Sequence, residues 1–70
     1  MTQYERILKY LDDYGSISPL EAFRDLGITK LATRISEMTS RFGLMFDRER
    51  ETSKNRYNES VSYMRYRRAA

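Results

Sequence analysis

The sequence contains no cysteine, no histidine and no tryptophan, and it has one proline and three glycines among 70 residues. Without cysteine there is no disulfide framework and no thiolate nucleophile, and without histidine the commonest general base and metal ligand are missing. A chain of this length has room for one domain. We therefore expect residues 1–70 to fold as one unit whose compact core has no support from disulfides or structural zinc.

Long apolar runs and catalytic motifs are also missing. No stretch approaches the roughly 18 apolar residues that a transmembrane helix requires, and the start, MTQYERILKY, does not resemble a signal peptide. There is no glycine-rich phosphate loop, and the acidic clusters at Asp12–Asp13 and at Glu49 and Glu51 have no histidine or third carboxylate nearby. We expect a cytoplasmic protein with no membrane partner, enzymatic activity, cofactor or metal ion.

Positive charge is concentrated in the last third of the chain. The net charge is +3, but residues 1–47 carry six Lys or Arg and seven Asp or Glu, whereas residues 48–70 carry seven and three. Such an asymmetry favours a surface that meets a polyanion, although a solvated basic tail would give the same count.

Two capping boxes predict the first two helices. Thr2 with Glu5 begins a helix over residues 3–14 that ends at Gly15, and Ser18 with Glu21 begins a short second helix that ends at Gly27. The predicted inward residues are Tyr4, Ile7, Leu8, Leu11 and Tyr14 in the first helix and Ala22, Phe23 and Leu26 in the second. Tyr10 flanks the first stripe, so we expect it to be exposed and available for a dimer contact.

The third predicted helix covers residues 30–42. Ile28 points inward, Thr29 caps the helix and Gly43 ends it. Its apolar stripe comprises Leu31, Ile35, Met38 and Phe42. The opposite side carries Lys30, Thr33, Ser36, Glu37, Ser40 and Arg41, with Arg34 on the flank.

After residue 43 the apolar pattern changes to a period of two. Residues 44–49 alternate as a strand, the polar residues 52–59 are typical of a hairpin loop, and residues 61–66 form a second strand. We expect a frayed tail over residues 67–70, and a short third strand at Ile17. The predicted fold is α+β, mainly α: three helices followed by a C-terminal two-stranded β-hairpin.

Three segments of the chain resemble a known family: ISPLEA at residues 17–22, LGITKLA at residues 26–32 and RISE at residues 34–37. They are similar to the small winged helix-turn-helix domains common in bacteriophage genomes, and the stretch from Tyr57 to Tyr66 is similar to the second strand of the family's wing. The resemblance implies a winged helix-turn-helix fold and a DNA-binding function, often in phage regulation. Two positions depart from the common pattern, because Phe23 replaces a small residue before the turn glycine and Thr33 replaces an apolar residue after it.

A winged helix-turn-helix places its third helix in the major groove of double-stranded DNA and its hairpin on neighbouring phosphates. We expect Lys30 or Arg34 to contact the edge of a guanine and Thr33 to contact the methyl group of a thymine. Glu37 is expected to accept a hydrogen bond from the amino group of a cytosine. The full set of predicted DNA-binding residues is Thr29, Lys30, Thr33, Arg34, Glu37, Arg41, Lys54, Asn55, Arg56 and Tyr57. The alternative interpretation is that the polar side of the third helix and the hairpin loop are ordinary solvated surface with no ligand.

Two functions remain open at this point. The first is a small phage-type transcriptional regulator or recombination accessory that binds duplex DNA, either as a monomer or as a homodimer. The second is a phage-encoded inhibitor that uses the same fold to bind a host protein, such as a nucleic-acid enzyme. The modest net charge and the acidic Glu37 on the expected reading face keep the second open.

Overall fold

A computed structural model describes residues 1–69 of the chain. Three helices are followed by two strands: α1 (Gln3–Tyr14), α2 (Pro19–Leu26), α3 (Leu31–Phe42), β1 (Phe46–Lys54) and β2 (Ser60–Arg68). The molecule measures 40 × 23 × 21 Å. The predicted class of three helices followed by an antiparallel hairpin is confirmed.

Local capping defines the helix ends. Both predicted capping boxes are present, Thr2 with Glu5 and Ser18 with Glu21. Each helix is followed by a glycine in the left-handed conformation, as predicted. The prediction that Thr29 caps α3 is wrong: Lys30 occupies the N-cap position, and no side chain caps the helix there.

A tight turn connects α2 to α3. Gly27 adopts φ +69°, a conformation that costs a residue with a Cβ about 1–2 kcal/mol. Beyond it, the N–H of Ile28 donates to the carbonyl of Ala22 over 3.0 Å, and the Ile28 side chain is buried. The turn therefore places the start of α3 against α2.

The core lies between the three helices and the base of the hairpin. Its buried apolar residues come from every part of the chain except the outer hairpin: Ile7, Tyr10, Leu11, Ile17, Ala22, Ile28, Leu31, Ile35, Met38 and Tyr66. Three predicted core residues are exposed instead, namely Tyr14, Phe23 and Phe42. Ala22, one residue before Phe23, fills the inward position of α2, which explains why the small residue of the common helix-turn-helix pattern is displaced here.

Tyr10 is 8% exposed, so the prediction of an exposed Tyr10 is wrong. Its hydroxyl donates to Oδ2 of Asp25 over 2.8 Å, which satisfies the polar end of a ring that packs in the core. Phe42 is exposed at the C-terminal end of α3. Its ring packs edge-on against the Tyr4 ring, with the two centroids 5.6 Å apart.

The strands are longer than the sequence predicted. β1 continues through Lys54, and β2 begins at Ser60, so the loop is confined to residues 55–59. Arg67 and Arg68 pair with Asp47 and Phe46 in the ladder, which corrects the prediction that they fray; Ala70 lies outside the described residues. The predicted third strand is a single bridge, in which Ile17 and Tyr66 exchange two hydrogen bonds of 2.9 Å.

Candidate nucleic-acid interface

α3 turns a polar side to solvent because its apolar stripe is buried. Leu31, Ile35 and Met38 lie in the core. The opposite side is exposed and carries five of the residues that the sequence placed there: Lys30, Thr33, Ser36, Ser40 and Arg41. A shallow groove lined by Ala32, Thr33, Ser36, Glu37 and Ser40 runs along it. Short side chains therefore line the middle of this surface, and the cations Lys30 and Arg41 lie at its two ends. We call this side the α3 surface.

Arg34 and Glu37 form an ion pair, and Glu37 also accepts a hydrogen bond from α1. Nη1 of Arg34 donates to Oε1 of Glu37, and the hydroxyl of Tyr4 donates to the same oxygen over 2.8 Å. The hydrogen bonds from Tyr4 and Arg34 lower the pKa of Glu37, and Glu37 raises the pKa of the Arg34 guanidinium. Nε of Arg34 is buried and has no hydrogen-bond partner within residues 1–69.

The sequence indicates one of the two contacts in this cluster, the pair of Arg34 with Glu37, but not the hydrogen bond from Tyr4. Arg34 and Glu37 are three residues apart on one helix, a spacing at which side chains of opposite charge meet. The contact from Tyr4 spans 33 residues, and a periodic apolar stripe does not reveal that its first member also donates a hydrogen bond. Of the predicted base-reading residues, Lys30 and Thr33 are exposed, whereas Arg34 and Glu37 are half-buried.

The tip of the hairpin is shaped by Asn55. Its Oδ1 accepts from the backbone N–H groups of Tyr57 and Glu59 over 2.9 and 3.0 Å, and Asn58 takes a positive φ of 61°. Asn55 therefore holds the turn, while Arg56 is exposed and Tyr57 is 80% exposed at the end of the hairpin. Lys54 donates to Oγ of Ser60 across the ladder over 3.1 Å.

Arg65 fixes the hairpin to α2. The guanidinium donates to Oε1 of Glu51 on β1, to Oε1 of Glu21 on α2 over 2.9 Å, and to Oγ of Ser16 over 3.1 Å. Partial burial disfavours the charged form of Glu21, but hydrogen bonds from Arg65 and Ser18 more than offset it and lower its pKa. No local pattern in the sequence indicated this cluster, because its members come from three separate segments.

The structure places the hairpin next to two helices. Leu44, which follows α3, donates its N–H to the carbonyl of Met38, so the base of the hairpin adjoins the C-terminal end of α3. Farther out, a groove separates the hairpin from α2, with Leu20 and Arg24 on one wall and Lys54 and Val61 on the other. The outer hairpin is therefore beside α2.

Ion pairing separates the cations of the molecule into two groups. Five of the 13 Lys and Arg side chains pair with carboxylates: Lys9, Arg24, Arg34, Arg65 and Arg67. Within residues 1–69, the other eight form no such pair: Arg6, Lys30, Arg41, Arg48, Arg50, Lys54, Arg56 and Arg68. Seven of these eight belong to the α3 surface or to the hairpin, so positive charge without a partner is concentrated there.

Two helices joined by a glycine turn, a third helix packed across them, and a following antiparallel hairpin define a winged helix-turn-helix architecture. A family model described as "Winged helix-turn-helix domain" matches residues 2–66, and the chain belongs to this family. We found no significant match among curated proteins or among solved structures.

Family membership supports a DNA-binding role, and domains of this family are typically non-enzymatic DNA-binding domains. Within the described part of the chain, no three Cys, Asp or Glu side chains converge as they would around a metal ion. None of the helices described is long and apolar enough to cross a membrane.

Proposed function

We propose that this chain is a small phage-type transcriptional regulator or recombination accessory that acts as one domain on double-stranded DNA. In this proposal the α3 surface enters the major groove, and the hairpin, or wing, lies on neighbouring phosphates. The distribution of the cations carries the proposal: within residues 1–69, seven of the eight positive side chains that lack carboxylate partners lie on the α3 surface or on the wing.

The exposed residues of the α3 surface have distinct proposed roles. Lys30 suits the acceptor edge of a guanine and Thr33 the methyl group of a thymine, while Thr29 and Arg41 lie at the two ends of the helix, where they can meet phosphates. Arg34 reaches DNA only with the guanidinium atoms that Glu37 does not engage.

Glu37 has one carboxylate oxygen left for DNA. Its Oε1 accepts from Tyr4 and Arg34, so contact with a cytosine amino group must use Oε2. On the wing, Lys54, Arg56 and Tyr57 are the proposed contacts, and Asn55 supports them by holding the turn.

A salt titration tests the proposal. Affinity for a labelled mixed-sequence duplex of 20 base pairs is measured by fluorescence anisotropy at several salt concentrations. Each phosphate contact contributes a slope of about −0.9 in log affinity against log salt. We expect Lys30→Ala combined with Arg56→Ala, which removes two exposed cations that have no carboxylate partner within residues 1–69, to lose most of the binding. The control, Lys9→Ala with Arg67→Ala, removes the same charge from ion-paired positions and should retain it. Equal losses in both double variants contradict the proposal.

A homodimer on two half-sites is part of the same proposal, because one small domain makes few base contacts. Light scattering measures the mass of the free chain and of its complex with a duplex that carries two half-sites. Two copies of the 8.4 kDa chain on one duplex support the dimer, and one copy at saturation contradicts it.

A second candidate function is an inhibitor that binds a host protein. The observation that favours it is the exposure of two apolar side chains of α2, Leu20 at 68% and Phe23 at 59%, neither of which is a proposed DNA contact. Recovery of a partner from nuclease-treated host lysate, lost in the Leu20→Ser with Phe23→Ser variant and kept in the Arg34→Ala variant, would support this function.

A further inference from the structure

The outer edge of β2 carries backbone groups that no third strand pairs. Tyr66 exchanges two hydrogen bonds with Ile17, so its N–H and C=O point away from β1. Successive residues of an antiparallel strand point these groups to alternate sides, so Ser60, Ser62 and Met64 point theirs in the same direction as Tyr66. Within residues 1–69, no backbone hydrogen bond joins these three residues to a segment outside the hairpin. We call this side of residues 60–64 the open edge of β2.

A groove lies beside the open edge, between α2 and the hairpin. Ser18, which follows the Ile17 bridge, lines it together with Val61, Tyr63 and Arg65 of β2. Its volume is about 340 Å³, which is within the range of about 300–1,000 Å³ typical of ligand pockets. We call it the α2–β2 groove, and it has room for side chains of a strand that pairs with β2.

Each wall of the groove contributes an exposed apolar side chain, Leu20 from α2 and Val61 from β2. An apolar side chain that inserts between them removes its own surface and theirs from water, which favours binding. The groove therefore suits a ligand with an apolar side chain.

The groove also carries an excess of positive charge. Among the described residues that line it, three are cations, Arg24, Lys54 and Arg65, and one is a carboxylate, Glu21. Arg65 pairs with Glu21, and Arg24 pairs with Asp25 on its own helix, whereas Lys54 forms no ion pair in the described part of the chain. A ligand with a carboxylate therefore fits the groove better than a cationic ligand.

A peptide strand matches the open edge better than a DNA backbone does. Each outward-facing residue presents one N–H donor and one C=O acceptor. A phosphodiester supplies acceptors only, whereas a peptide backbone supplies both. Main-chain hydrogen bonds together with pockets for alternate side chains are the basis of strand addition to a sheet edge.

We propose that the α2–β2 groove binds an extended peptide segment of another protein. The segment adds a strand to the open edge of β2 and turns an apolar side chain and a carboxylate toward the groove. The inference goes beyond the proposed DNA-binding function and uses no residue of the α3 surface. It rests on the second candidate function only for the existence of a protein partner, to which it assigns a binding mode and a chemistry.

A set of fluorescein-labelled heptapeptides is the probe. Each has threonine at the odd positions, aspartate at the fourth position, and valine, leucine or phenylalanine at the second and sixth. Even positions share one face of a strand, so the carboxylate and the apolar side chains face the groove together. Fluorescence anisotropy measures the affinity. We expect the aspartate peptides to bind, and peptides with lysine in place of aspartate to bind at least about fivefold more weakly.

A matched pair of proline variants tests the backbone part of the inference. Thr52 and Ser62 lie opposite each other in the ladder, and both point their N–H groups outward, Ser62 at the open edge of β2 and Thr52 at the free edge of β1. Proline at either position removes one outward donor and no bond of the ladder. We expect Ser62→Pro to weaken peptide binding by about tenfold and Thr52→Pro by less than about twofold. Circular dichroism confirms that both variants fold.

A second pair tests the side-chain part and leaves the sequence of both strands unchanged. Leu20→Ser removes an exposed apolar side chain from the wall of the groove, and Met45→Ser removes one from the base of the hairpin. We expect Leu20→Ser to weaken peptide binding by about fivefold and Met45→Ser to leave it unchanged.

The inference would be overturned if no aspartate peptide bound the parent chain, or if the two members of either pair lost equal affinity. It would also be overturned if light scattering showed the free chain to be a dimer that Ser62→Pro dissociates, because a second copy then occupies the open edge. Equal losses of duplex and peptide affinity in Ser62→Pro would assign the groove to DNA instead. In each case the DNA-binding function would stand if the parent chain bound duplex with a steep salt dependence, and the second candidate function would stand if the lysate experiment recovered a partner.

Discussion

Hydrogen bonds of single side chains decide which tyrosines of α1 are buried. The sequence pattern placed Tyr14 in the apolar stripe and Tyr10 on its flank, and the centroids of the two rings are 4.6 Å apart. Tyr10 enters the core because Asp25 accepts from its hydroxyl, and burial together with that bond raises the pKa of Tyr10 to about 12. Within residues 1–69, the Tyr14 hydroxyl has no such acceptor, and the residue is 71% exposed. The helical period predicted Tyr14 buried and Tyr10 exposed, and both predictions are wrong because the hydrogen-bond partner of Tyr10 lies on α2.

The hydrogen bonds that Asp25 accepts from Arg24 and Tyr10 make the free energy of unfolding depend on pH in the acid range. Hydrogen bonds from Arg24 and Tyr10 lower the pKa of Asp25 to about 2, below its ordinary value of 3.8. The unfolded chain therefore binds more protons than the folded one between pH of about 4 and 2. Stability from this group is present above that window and is lost as the pH falls through it.

We expect Asp25→Asn to flatten this part of the pH dependence, because asparagine does not titrate. Urea denaturation followed by circular dichroism between pH 2 and 6 measures it. Asp12→Asn, at an exposed position on α1, is the control. Identical pH profiles for the parent chain and the Asp25→Asn variant would contradict the assignment.

On a mixed-sequence duplex, where no cytosine is matched to its Oε2, we expect Glu37 to weaken DNA binding in two ways. Its carboxylate repels phosphates, and it holds one edge of Arg34. We expect Glu37→Gln to raise affinity for a mixed-sequence duplex by several-fold, which corresponds to about 1 kcal/mol for one charge near a surface. Fluorescence anisotropy measures the change, and Asp12→Asn serves as a control for net charge. A fall in affinity would show instead that the Glu37 carboxylate contacts DNA directly.

At the level of secondary-structure elements, Arg65 determines how firmly the wing is attached. Its side chain is 16% exposed and joins β2 to β1 and to α2. We expect Arg65→Met to destabilise the fold by about 2 kcal/mol, because Glu21 and Glu51 lose a charged donor in a partly buried place. Arg67→Met, two residues away on the same strand, should cost under about 1 kcal/mol because its pair with Glu49 is exposed.

Urea denaturation of the two methionine variants at neutral pH measures both costs. Both variants replace an arginine of β2 that pairs with a carboxylate of β1, but only Arg65 also contacts α2. The difference between the two losses of unfolding free energy therefore reports on the contact with α2. Equal destabilisation by the two substitutions would mean that Arg65 does not anchor the wing.

The free edge of β1 is protected against pairing with a second copy. An antiparallel pair of β1 strands related by a two-fold axis places even-numbered residues opposite even-numbered ones and odd opposite odd. The even positions carry Arg48, Arg50 and Lys54, and the odd positions carry Asp47, Glu49 and Glu51. Like charges would face each other across the new ladder, which is unfavourable. A homodimer must therefore use another surface.

At the scale of the whole molecule, the sequence predicted the order of elements because its signals are local. Capping residues, turn glycines and the apolar stripe of α3 each act within a few positions. The predicted loop at residues 52–59 includes residues 52–54, which belong to β1. Residues 50–54 are polar, and a strand with both faces exposed has no apolar alternation to detect. Contacts between distant segments, such as Arg65 with Glu21 and Tyr4 with Glu37, follow from packing and leave no local pattern.

The same limit applies to the candidate DNA-binding surface. Sequence reasoning identified the residue types on the α3 surface and at the wing tip, since helical spacing and charge suffice for that. It did not show which cations of the hairpin are paired with carboxylates, since the pairs of Arg65 and Arg67 with Glu51 and Glu49 depend on the register between β1 and β2. It also did not show that Arg34 is held by an acid, because the geometry of that pair depends on Tyr4.

The most direct test of the proposed DNA surface is an amide NMR titration of the ¹⁵N-labelled chain with the mixed-sequence duplex. We expect the largest chemical-shift changes at residues 30–41 and 48–57, with little change along the exposed side of α1 around Lys9 and Asp13. Large changes confined to α1 and the outer side of α2, with residues 30–41 unaffected, would contradict DNA binding through α3 and the wing.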